Sequence, residues 1–355
     1  MAPLPAQHLA FRILERTSHR NLERRSEPLP VVRDNDVLIQ VHGVTLNSRD
    51  IQITGGWYPA LGLKSDLVPC SDGAGVVVAV GSSVQNFSVG DRVLATFALN
   101  NIYGPLKDQT QTLGGGVDGM LRQYAAVPEH AVVKIPQECK LDFVQLASLV
   151  CTGATVWNAL YGSVPMRPGQ TVLFQGTGGV SITGIQLAKA AGAITIVTSS
   201  SDDKLQFVKE TFGVDHVINY RTTPDWADEV LRLTHGVGAD YVIEIGGAGT
   251  IEQSIKAVAP GGMVAVVGYL ANIKPEAMPN VALLALIKGC CVRGILIGSH
   301  QLTTELVRFV TQKNIQPYIH KTFGFSREEV IAAFDHLESG NHIGKVGISV
   351  ATKEE

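Results

Sequence analysis

The chain has 355 residues, which is enough for about two domains. Hydrophobic residues make up 45% of it and charged residues 17%, so the composition excludes intrinsic disorder and predicts large buried cores. The net charge is −3 and no basic run stands out in the sequence, so we expect no nucleic-acid partner.

Cysteine usage and hydropathy bear on the location of the protein. The first ten residues carry no signal-peptide pattern, and the longest candidate apolar run, 281–287, is far too short for a membrane span. We therefore expect no membrane partner. The five cysteines are odd in number and form no CxxC pair, which favours reduced thiols and a cytoplasmic protein.

Short apolar runs separated by turns dominate the first part of the chain. Strands are predicted at 11–15, 37–41 and 74–80, and a turn at 89–93 leads into another strand. This pattern is typical of a compact barrel-like β domain. Residues 100–119 are polar and glycine-rich and are predicted to form a long surface loop.

Helical patterns begin near residue 142 and then alternate with strands. The predicted helices start at 142–149 and 152–160, and later ones begin at Ser200 or Ser201 and at Thr223, where Pro224 follows the cap. The predicted strands are 171–175, 194–198, 217–219, 241–245, 263–267 and 292–297. Alternating strands and helices predict a parallel sheet with helices on both faces.

The last part of the chain loses this alternation. Helices are predicted at 302–310 and 330–337, the second with a capping box that starts at Ser326. A closing strand at 345–350 is predicted to return to the first domain. We therefore expect one domain from residues 1–150 together with 301–355, and a second from 151–300.

A glycine turn follows the strand at 171–175. Gly176, Gly178 and Gly179 allow a tight turn and a close approach to a ligand, and the helix that follows offers free N–H groups to an anion such as a pyrophosphate. Because Ser181 stands in the third place of GxGxxG, the motif alone is weak evidence. Glycines also follow other strands, at Gly246, Gly268 and residue 298, where a parallel sheet binds its ligand.

The second strand of this unit ends in hydroxyls instead of the acid that would select NAD. Ser199 and Ser200 can donate to a 2′-phosphate, Lys204 adds positive charge one helical turn later, and Tyr220 offers a phenol at the end of the third strand. Asp202 and the acid after it are expected to pair with the helix dipole. The pattern favours NADP(H) over NAD.

Five segments together carry a family resemblance: 69–77, 89–93, 175–180, 215–220 and 340–345. With them the chain resembles the medium-chain dehydrogenase/reductase superfamily over nearly its whole length. The resemblance implies an α/β protein with a GroES-like β-barrel catalytic domain and a Rossmann domain, a doubly wound parallel sheet. It also implies a homodimer formed through the edge of the Rossmann sheet.

The departures from the family pattern concern zinc. Where zinc alcohol dehydrogenases have a cysteine, a histidine and a glutamate, this chain has Asn47, Ser71 and Asp72, and only Cys151 matches a ligand. Residues 95–119 contain no cysteine for a structural zinc. We therefore expect no metal, and we interpret His42 as a barrel histidine with satisfied hydrogen bonds.

The resemblance then implies the zinc-independent branch, similar to quinone oxidoreductases and enoyl reductases. Asn47 matches a position near the nicotinamide ribose and substrate, and Tyr58 is the candidate proton donor or substrate clamp, unless it only packs the mouth of the cleft. Asp50 either orients Asn47 or, in the safer interpretation, caps the following turn. The whole predicted cofactor set is Asn47, Thr155, Gly176, Thr177, Gly178, Gly179, Val180, Ser199, Ser200, Lys204, Tyr220, Gly246, Gly268, Tyr269, Leu270, Ile297 and Lys345.

Three functions remain open from the sequence. The first is a zinc-independent, NADPH-dependent oxidoreductase that transfers hydride to an activated alkene, quinone or carbonyl of a small molecule. The second is a metal-free alcohol dehydrogenase or ketoreductase, with a place in a biosynthetic pathway. The third is a non-catalytic protein that binds NADPH.

Overall fold

The computed structural model describes residues 3–59, 62–270 and 277–350. Two compact units make up the chain: Met1–Ala154 with Ile297–Glu355, and Thr155–Leu296. We call them the barrel unit and the Rossmann unit and describe each by itself.

The barrel unit is built mainly from strands. Its strands are β1 (Gln7–Arg12), β2 (Glu23–Pro28), β3 (Asp36–Leu46), β4 (Asp72–Val80), β5 (Arg92–Ala95), β6 (Tyr124–Pro128), β7 (Val132–Lys134), β14 (Ile319–Phe323) and β15 (Lys345–Ser349). Its helices are α1 (Ser48–Thr54), α2 (Phe143–Ser148), α9 (His300–Gln312) and α10 (Arg327–Glu338).

One sheet of seven strands organises the barrel unit. Its order is β14-β15-β3-β4-β5-β7, and β6 pairs with β3. The closing strand β15 pairs antiparallel with β3, so the prediction that it returns to the first domain is confirmed. Alternate residues of β3 pack into an apolar core that includes Phe11 and Phe334.

A continuous helical segment, Phe143–Tyr161, follows the barrel strands. It consists of α2, a π-helical turn at Leu149–Gly153, and α3 (Ala154–Tyr161). At 19 residues it is long and apolar enough to span a membrane, so the expectation that no stretch approaches that length was wrong. Because 83% of its most apolar window is buried inside the protein, it is a core helix here.

The Rossmann unit alternates strands and helices as predicted. Its strands are β8 (Thr171–Gln175), β9 (Ile194–Ser199), β10 (His216–Asn219), β11 (Ala239–Glu244), β12 (Val258–Val266) and β13 (Cys291–Gly294). Its helices after α3 are α4 (Gly179–Ala190), α5 (Asp202–Phe212), α6 (Trp226–Leu233), α7 (Ile251–Ala257) and α8 (Val281–Lys288).

The six strands form one parallel sheet in the order β10-β9-β8-β11-β12-β13. The chain runs outward from β8 in one direction and then outward from β11 in the other. The strand order therefore reverses between β8 and β11, where ligands of doubly wound sheets bind. This arrangement confirms the predicted doubly wound Rossmann sheet.

Helix α4 packs unusually close to β8. A Cβ at Gly184 would lie 2.3 Å from Cε1 of Phe174, so only glycine fits there. Ser181, in the third motif position, is fully buried and donates its hydroxyl to the carbonyl of Gln175 at 2.6 Å. Ser181 thus ties the helix to the strand end, while Gly184 provides the close contact that the third motif glycine supplies elsewhere.

Several predicted elements differ from the structure. The strand expected at 11–15 is β1, which ends at Arg12. Helix α6 starts after Asp225, so the predicted cap at Thr223 was wrong. The exposed, largely polar strands β2 and β14 were missed, as were the short β6 and β7.

The segment at 100–119 is a surface loop only in its first half. Thr112, Leu113, Gly114 and Gly115 are buried, and the amide of Gly119 donates to the carbonyl of Val68 at 2.6 Å. This second half packs against the backbone of residues 68–70, just before β4, a contact that composition does not predict.

Candidate active site

The glycine turn at the end of β8 has the geometry that the sequence predicts. Gly176 has φ +70°, which favours glycine, and its amide donates to the carbonyl of Thr198 at 2.7 Å. Helix α4 begins at Gly179. Its N-cap residue is Gly178, which has no side chain to cap the first amides of the helix. The amides at this helix start therefore face outward as donors for an anion.

A buried carboxylate holds the neighbouring strand ends in register. Glu244, at the end of β11, is fully buried and accepts from the amides of Gly246 and Gly247 at 2.8 Å each. Gln175, at the end of β8, donates to Glu244 at 2.7 Å and accepts from the amide of Ile245 at 3.0 Å. The two strands beside the switch point thus share one polar network, which fixes the loops that follow them.

The end of β9 carries hydroxyls and one lysine. Ser201 caps α5 by accepting from the amide of Lys204 at 3.3 Å, and Ser199 is buried at the strand end. Asp202 accepts from Nδ2 of Asn219 at 2.8 Å, so its carboxylate is engaged by the next strand. Partial burial lowers the pKa of Lys204 below its usual value.

Tyr220 lies just beyond β10, with its amide on the carbonyl of Ser199 at 3.1 Å. It is 43% exposed, so it is not a core tyrosine.

The loops after β11 and β12 meet, because the amide of Leu270 donates to the carbonyl of Ile245 at 3.1 Å. Gly246, Gly268, Tyr269 and Leu270 therefore belong to one loop cluster, and Tyr269 and Leu270 are exposed.

The barrel unit contains a buried ion pair that the sequence did not predict. Lys345, at the start of β15, lies 3.1 Å from Asp72, and both side chains are almost fully buried. Its ammonium also donates to Oδ1 of Asn47 at 2.6 Å and to the carbonyl of Leu46 at 2.8 Å. These three acceptors match the three protons of an ammonium, and Nδ2 of Asn47 is buried without a hydrogen-bond partner among the described residues.

Asp50 lies next to this cluster, one turn into α1. Its Oδ2 accepts from the backbone amide of Asn47 at 2.8 Å, so it stabilises the helix start and also fixes Asn47. Its Oδ1 is buried, and no described residue donates a hydrogen bond to it. Burial, partly offset by the charge of Arg49, raises the pKa of Asp50 to about 6.

The residues at the zinc-ligand positions do not fit a zinc ion. The carboxylate of Asp72 accepts from Lys345, Thr45 and Ser71, so a protein cation already neutralises it. Burial and the charge of Asp72 raise the pKa of the Cys151 thiol to about 12, whereas zinc binds thiolate. An amide, a hydroxyl and a protonated thiol around a lysine ammonium do not supply three zinc ligands.

Tyr58 lies against the guanidinium of Arg49, a residue that was not among the predicted site residues. Cζ of Arg49 is 5.4 Å from the centre of the Tyr58 ring and 4.5 Å from that of Phe97. Nη1 of Arg49 donates to the carbonyl of Leu113 at 2.9 Å. An arginine among the polar residues 47–50 was the only available sequence signal, because its aromatic partners lie elsewhere in the chain.

The predicted site residues divide between the two units. Asn47, Tyr58, Ile297 and Lys345 belong to the barrel unit, and Thr155 and the remaining cofactor residues belong to the Rossmann unit. Ile297 has φ +70°, a strained conformation for a β-branched residue and one that is common at functional sites. Within the barrel unit the structure joins Asn47 directly to Lys345.

Two histidines of the barrel unit, His42 and His19, lie away from the cluster of Lys345 and Asp72. Nε2 of His42 is buried without a hydrogen-bond partner in the described chain, so the interpretation of a satisfied histidine was wrong. Its ring stacks near Phe143, and burial lowers its pKa. His19 lies within ligand distance of Asp335 and Glu338, but Arg20 already pairs with Asp335 at 2.8 Å.

Comparisons with known proteins place the chain in a family. Residues 179–312 match a family profile described as zinc-binding dehydrogenase, and residues 33–137 match the alcohol dehydrogenase GroES-like domain. A zinc-type alcohol dehydrogenase-like protein of Schizosaccharomyces pombe is 40% identical over 322 residues, which are 89% of this chain and 91% of that protein. This chain belongs to the medium-chain dehydrogenase/reductase superfamily.

Other members of the superfamily are similar in sequence and structure. A quinone oxidoreductase-like protein 2 homolog of Nematostella vectensis is 29% identical over 89% of this chain and 82% of its own length. The crystal structure of a putative alcohol dehydrogenase from Sinorhizobium meliloti 1021 superposes with a TM-score of 0.88 at 36% identity, over 98% of this chain and all of that one.

As a medium-chain dehydrogenase/reductase, the chain is an oxidoreductase that uses a nicotinamide dinucleotide, NAD(P). The Rossmann unit fits the pyrophosphate of that cofactor. A Cβ at Gly178 would meet no heavy atom within 4 Å, so the turn leaves open space beside the free amides of α4.

Proposed function

We propose that this medium-chain dehydrogenase/reductase is an NADPH-dependent reductase that works without a metal ion. Its substrates are the activated alkene, quinone or carbonyl groups of small organic molecules. The observation that carries the proposal is the position of the Lys345 ammonium, between Asn47 and Asp72 where zinc members of the family have ligands. At this position the buried ammonium supplies the positive charge that a zinc ion would carry. It also occupies the side chains that could otherwise bind a metal ion.

The preference for NADPH rests on the end of β9. Hydroxyls of Ser199 and Ser200 and the ammonium of Lys204 suit a 2′-phosphate, while the nearby Asp202 is engaged by Asn219. NAD-selective enzymes place a carboxylate directly after this strand, where it accepts from the 2′-hydroxyl. In this chain serines follow β9 instead.

The bound cofactor supplies a hydride from its reduced nicotinamide. The chain supplies position, charge and a proton. Asn47 offers a buried amide donor, Nδ2, that the protein does not use, and Lys345 and Asp50 hold it in place. Tyr58 offers a phenol for proton transfer to the reduced substrate.

Oxidation of NADPH tests the function. We expect the purified protein to consume NADPH with a quinone, an enone or an enoyl thioester, at the same rate before and after treatment with a chelator. Loss of all activity on chelation would contradict the proposal. An alcohol dehydrogenase would instead oxidise secondary alcohols and ignore enones, and a non-catalytic protein would bind NADPH without turnover.

A lysine variant tests the cofactor preference. Lys204→Ala is expected to lower kcat/KM for NADPH at least about tenfold, as loss of a hydrogen bond to a charged group does, and to leave kcat/KM for NADH unchanged. Lys209→Ala, an exposed lysine of the same helix, is the matched control. Equal losses with both cofactors would argue against a 2′-phosphate site.

We also propose that the protein is a homodimer, formed through β13 at the edge of the Rossmann sheet. Two features support it: β13 pairs only with β12 in the described chain, and the neighbouring α8 exposes Leu286 and Ile287 at 77% and 76%. A second copy would extend the sheet and cover this apolar face.

Leu286→Glu is expected to shift the sedimentation coefficient to that of a monomer, whereas Val237→Glu, at another exposed apolar position of the same unit, would not. A monomeric wild type would exclude the dimer.

We infer a cytoplasmic location. The structure supports it in that all five cysteines are free, which is typical of a reducing compartment. Fluorescence microscopy of a tagged full-length chain would test the location, and an organellar signal would exclude it.

A further inference from the structure

Arg49 is a buried cation that forms no ion pair with any residue that the structure describes. It lies in α1 and is only 8% exposed. In the described chain no carboxylate oxygen lies within 4.0 Å of its guanidinium, whereas the ammonium of Lys345, whose side chain is 3% exposed, has Asp72 at 3.1 Å. Burying a charged group without a counter-ion is costly, so an unpaired buried cation at this position requires a reason.

The protein uses only part of the hydrogen-bonding capacity of Arg49. Nη1 donates to the carbonyl of Leu113, and Nε is buried without an acceptor in the described residues. The rings of Phe97 and Tyr58 hold the guanidinium by stacking, which fixes its position but accepts no hydrogen bond. The guanidinium is thus rigid, positively charged and able to donate further.

Arg92 shows what a purely structural arginine looks like in the same unit. Its guanidinium also lies over an aromatic ring, that of Phe143 at 5.2 Å. It donates to the carbonyls of Cys139 and Leu141, and it is partly exposed to solvent. Water and backbone carbonyls therefore offset the cost of burying the charge of Arg92. For Arg49 neither of them offsets this cost fully.

The surroundings of Arg49 are also shaped for it. A Cβ at Gly115 would lie 2.7 Å from Nη2, so the glycine leaves the room that the guanidinium occupies. Of the carboxyls nearby, Asp50 directs one oxygen to the amide of Asn47 and Asp72 binds Lys345. Neither pairs with Arg49.

We propose that Arg49 binds the substrate oxygen that becomes negatively charged when hydride adds. This inference rests on the proposed reductase function and names its substrates more closely as conjugated carbonyl compounds, enones and quinones. In an enone, the hydride forms a C–H bond at the β-carbon, and the carbon–carbon π pair forms a new double bond between the α-carbon and the carbonyl carbon. The carbonyl π pair moves onto the oxygen, which becomes a negatively charged enolate oxygen. A proton from Tyr58 or water then completes the reduction and the dinucleotide is left oxidised.

The guanidinium suits this task because it is fixed before the charge develops. Donors that are already oriented stabilise an oxyanion without reorganisation, and they act strongly where water is scarce. The ring of Tyr58 lies against the same guanidinium, with its centre 5.4 Å from Cζ of Arg49, so a phenol is available near the proposed oxygen site.

The test compares Arg49→Gln with Arg92→Gln, in the full-length protein, using an enone and a quinone. We expect Arg49→Gln to lower kcat by about a hundredfold, as loss of an oxyanion donor does, with the dissociation constant for NADPH unchanged by fluorescence titration. Arg92→Gln is expected to lower thermal stability and leave kcat of the folded protein unchanged.

Two further variants keep the test decisive if Arg49→Gln folds poorly. Guanidinium chloride, at a concentration that does not denature the protein, is expected to restore part of the activity of Arg49→Ala, which a merely structural role would not produce. Gly115→Ala keeps the charge but displaces it, so kcat is expected to fall while cofactor binding persists.

Wild-type kcat in Arg49→Gln, or no recovery of Arg49→Ala with guanidinium, would overturn the assignment. A wild-type protein that reduces no acceptor would overturn the reductase function together with it. Turnover by the wild type with unaffected Arg49 variants would overturn only the role of Arg49.

Discussion

At the scale of single residues, the buried pair of Lys345 and Asp72 differs from the surface pairs in what its loss should do. Lys345→Met leaves the Asp72 carboxylate buried without its cation, so we expect the free energy of unfolding to fall by about 3 to 5 kcal/mol. Lys256→Met, which removes an exposed partner of Asp228, is the control and should change little. Urea denaturation measures both.

The same variant also tests the role that the family resemblance implies for Lys345. Its three protons already bind Asp72, Asn47 and Leu46, so cofactor affinity should fall only through displacement of Asn47. A large loss of NADPH binding with unchanged stability would instead identify Lys345 as a direct cofactor ligand.

The raised pKa of Asp50 predicts a pH dependence of stability. Burial lifts this pKa from 3.8 to about 6, so the folded protein holds a proton that the unfolded chain releases. The stabilisation, about 3 kcal/mol for a shift of about two pKa units, is fully present below pH 3.8 and is lost as the pH rises through 6.

Asp50→Asn removes this titration and keeps the shape. We therefore expect the unfolding free energy of the wild type to fall relative to that of Asp50→Asn when the pH is raised from 4.5 to 7.5. Urea denaturation at the two values measures it. A difference that stays constant would show that the Asp50 pKa is not raised.

At the scale of elements, the strand, glycine turn and helix from β8 to α4 separate two roles of glycine. Gly184→Ala is expected to destabilise the protein by about 1 to 3 kcal/mol, because its methyl would overlap Phe174. Gly178→Ala has room for its methyl and an ordinary φ of −79°, so stability should hold.

The Gly178 methyl would nevertheless occupy the space beside the free amides of α4, so NADPH affinity should fall. Thermal melts and fluorescence titration compare the two variants. If Gly178→Ala binds NADPH as tightly as the wild type, the turn does not hold the pyrophosphate.

The elements that the sequence predicts well are those whose determinants are local. The apolar strand 171–175 and the serine cap of α5, predicted at Ser200 or Ser201 and found at Ser201, each depend on residues a few positions apart. The start of α6 was misplaced because Thr223 is as good a local cap as Asp225. Strands β2 and β14 were missed because their exposed, charged residues look like loops without their pairing partners.

The candidate site divides in the same way. The glycine turn and the hydroxyls after β9 were predictable, since short motifs carry them. The cluster of Lys345 with Asp72 was not, because 273 residues separate its members. A lysine and an aspartate that each begin a strongly apolar strand were the available signal, since such charges need a buried partner.

At the scale of the whole molecule, the missing zinc ligands predict that metal removal has no effect on folding. The cations that neutralise buried carboxylate in the barrel unit belong to the chain, as with Lys345 and Asp72. Dialysis against a chelator should therefore leave the thermal midpoint unchanged. A fall in the midpoint that added zinc reverses would reveal a structural ion.

The position of β15 has a consequence for synthesis. This strand lies inside the barrel sheet, between β14 and β3, and its Lys345 donates to the carbonyl of Leu46, 299 residues earlier in the chain. At ordinary translation rates about 15 to 60 s pass between the emergence of the two from the ribosome. During that interval residues 43–46 of β3 lack the strand that pairs with them in the folded sheet, and Asp72 has no cation. The nascent barrel is therefore a candidate chaperone client until the Rossmann unit and the final strand have been made.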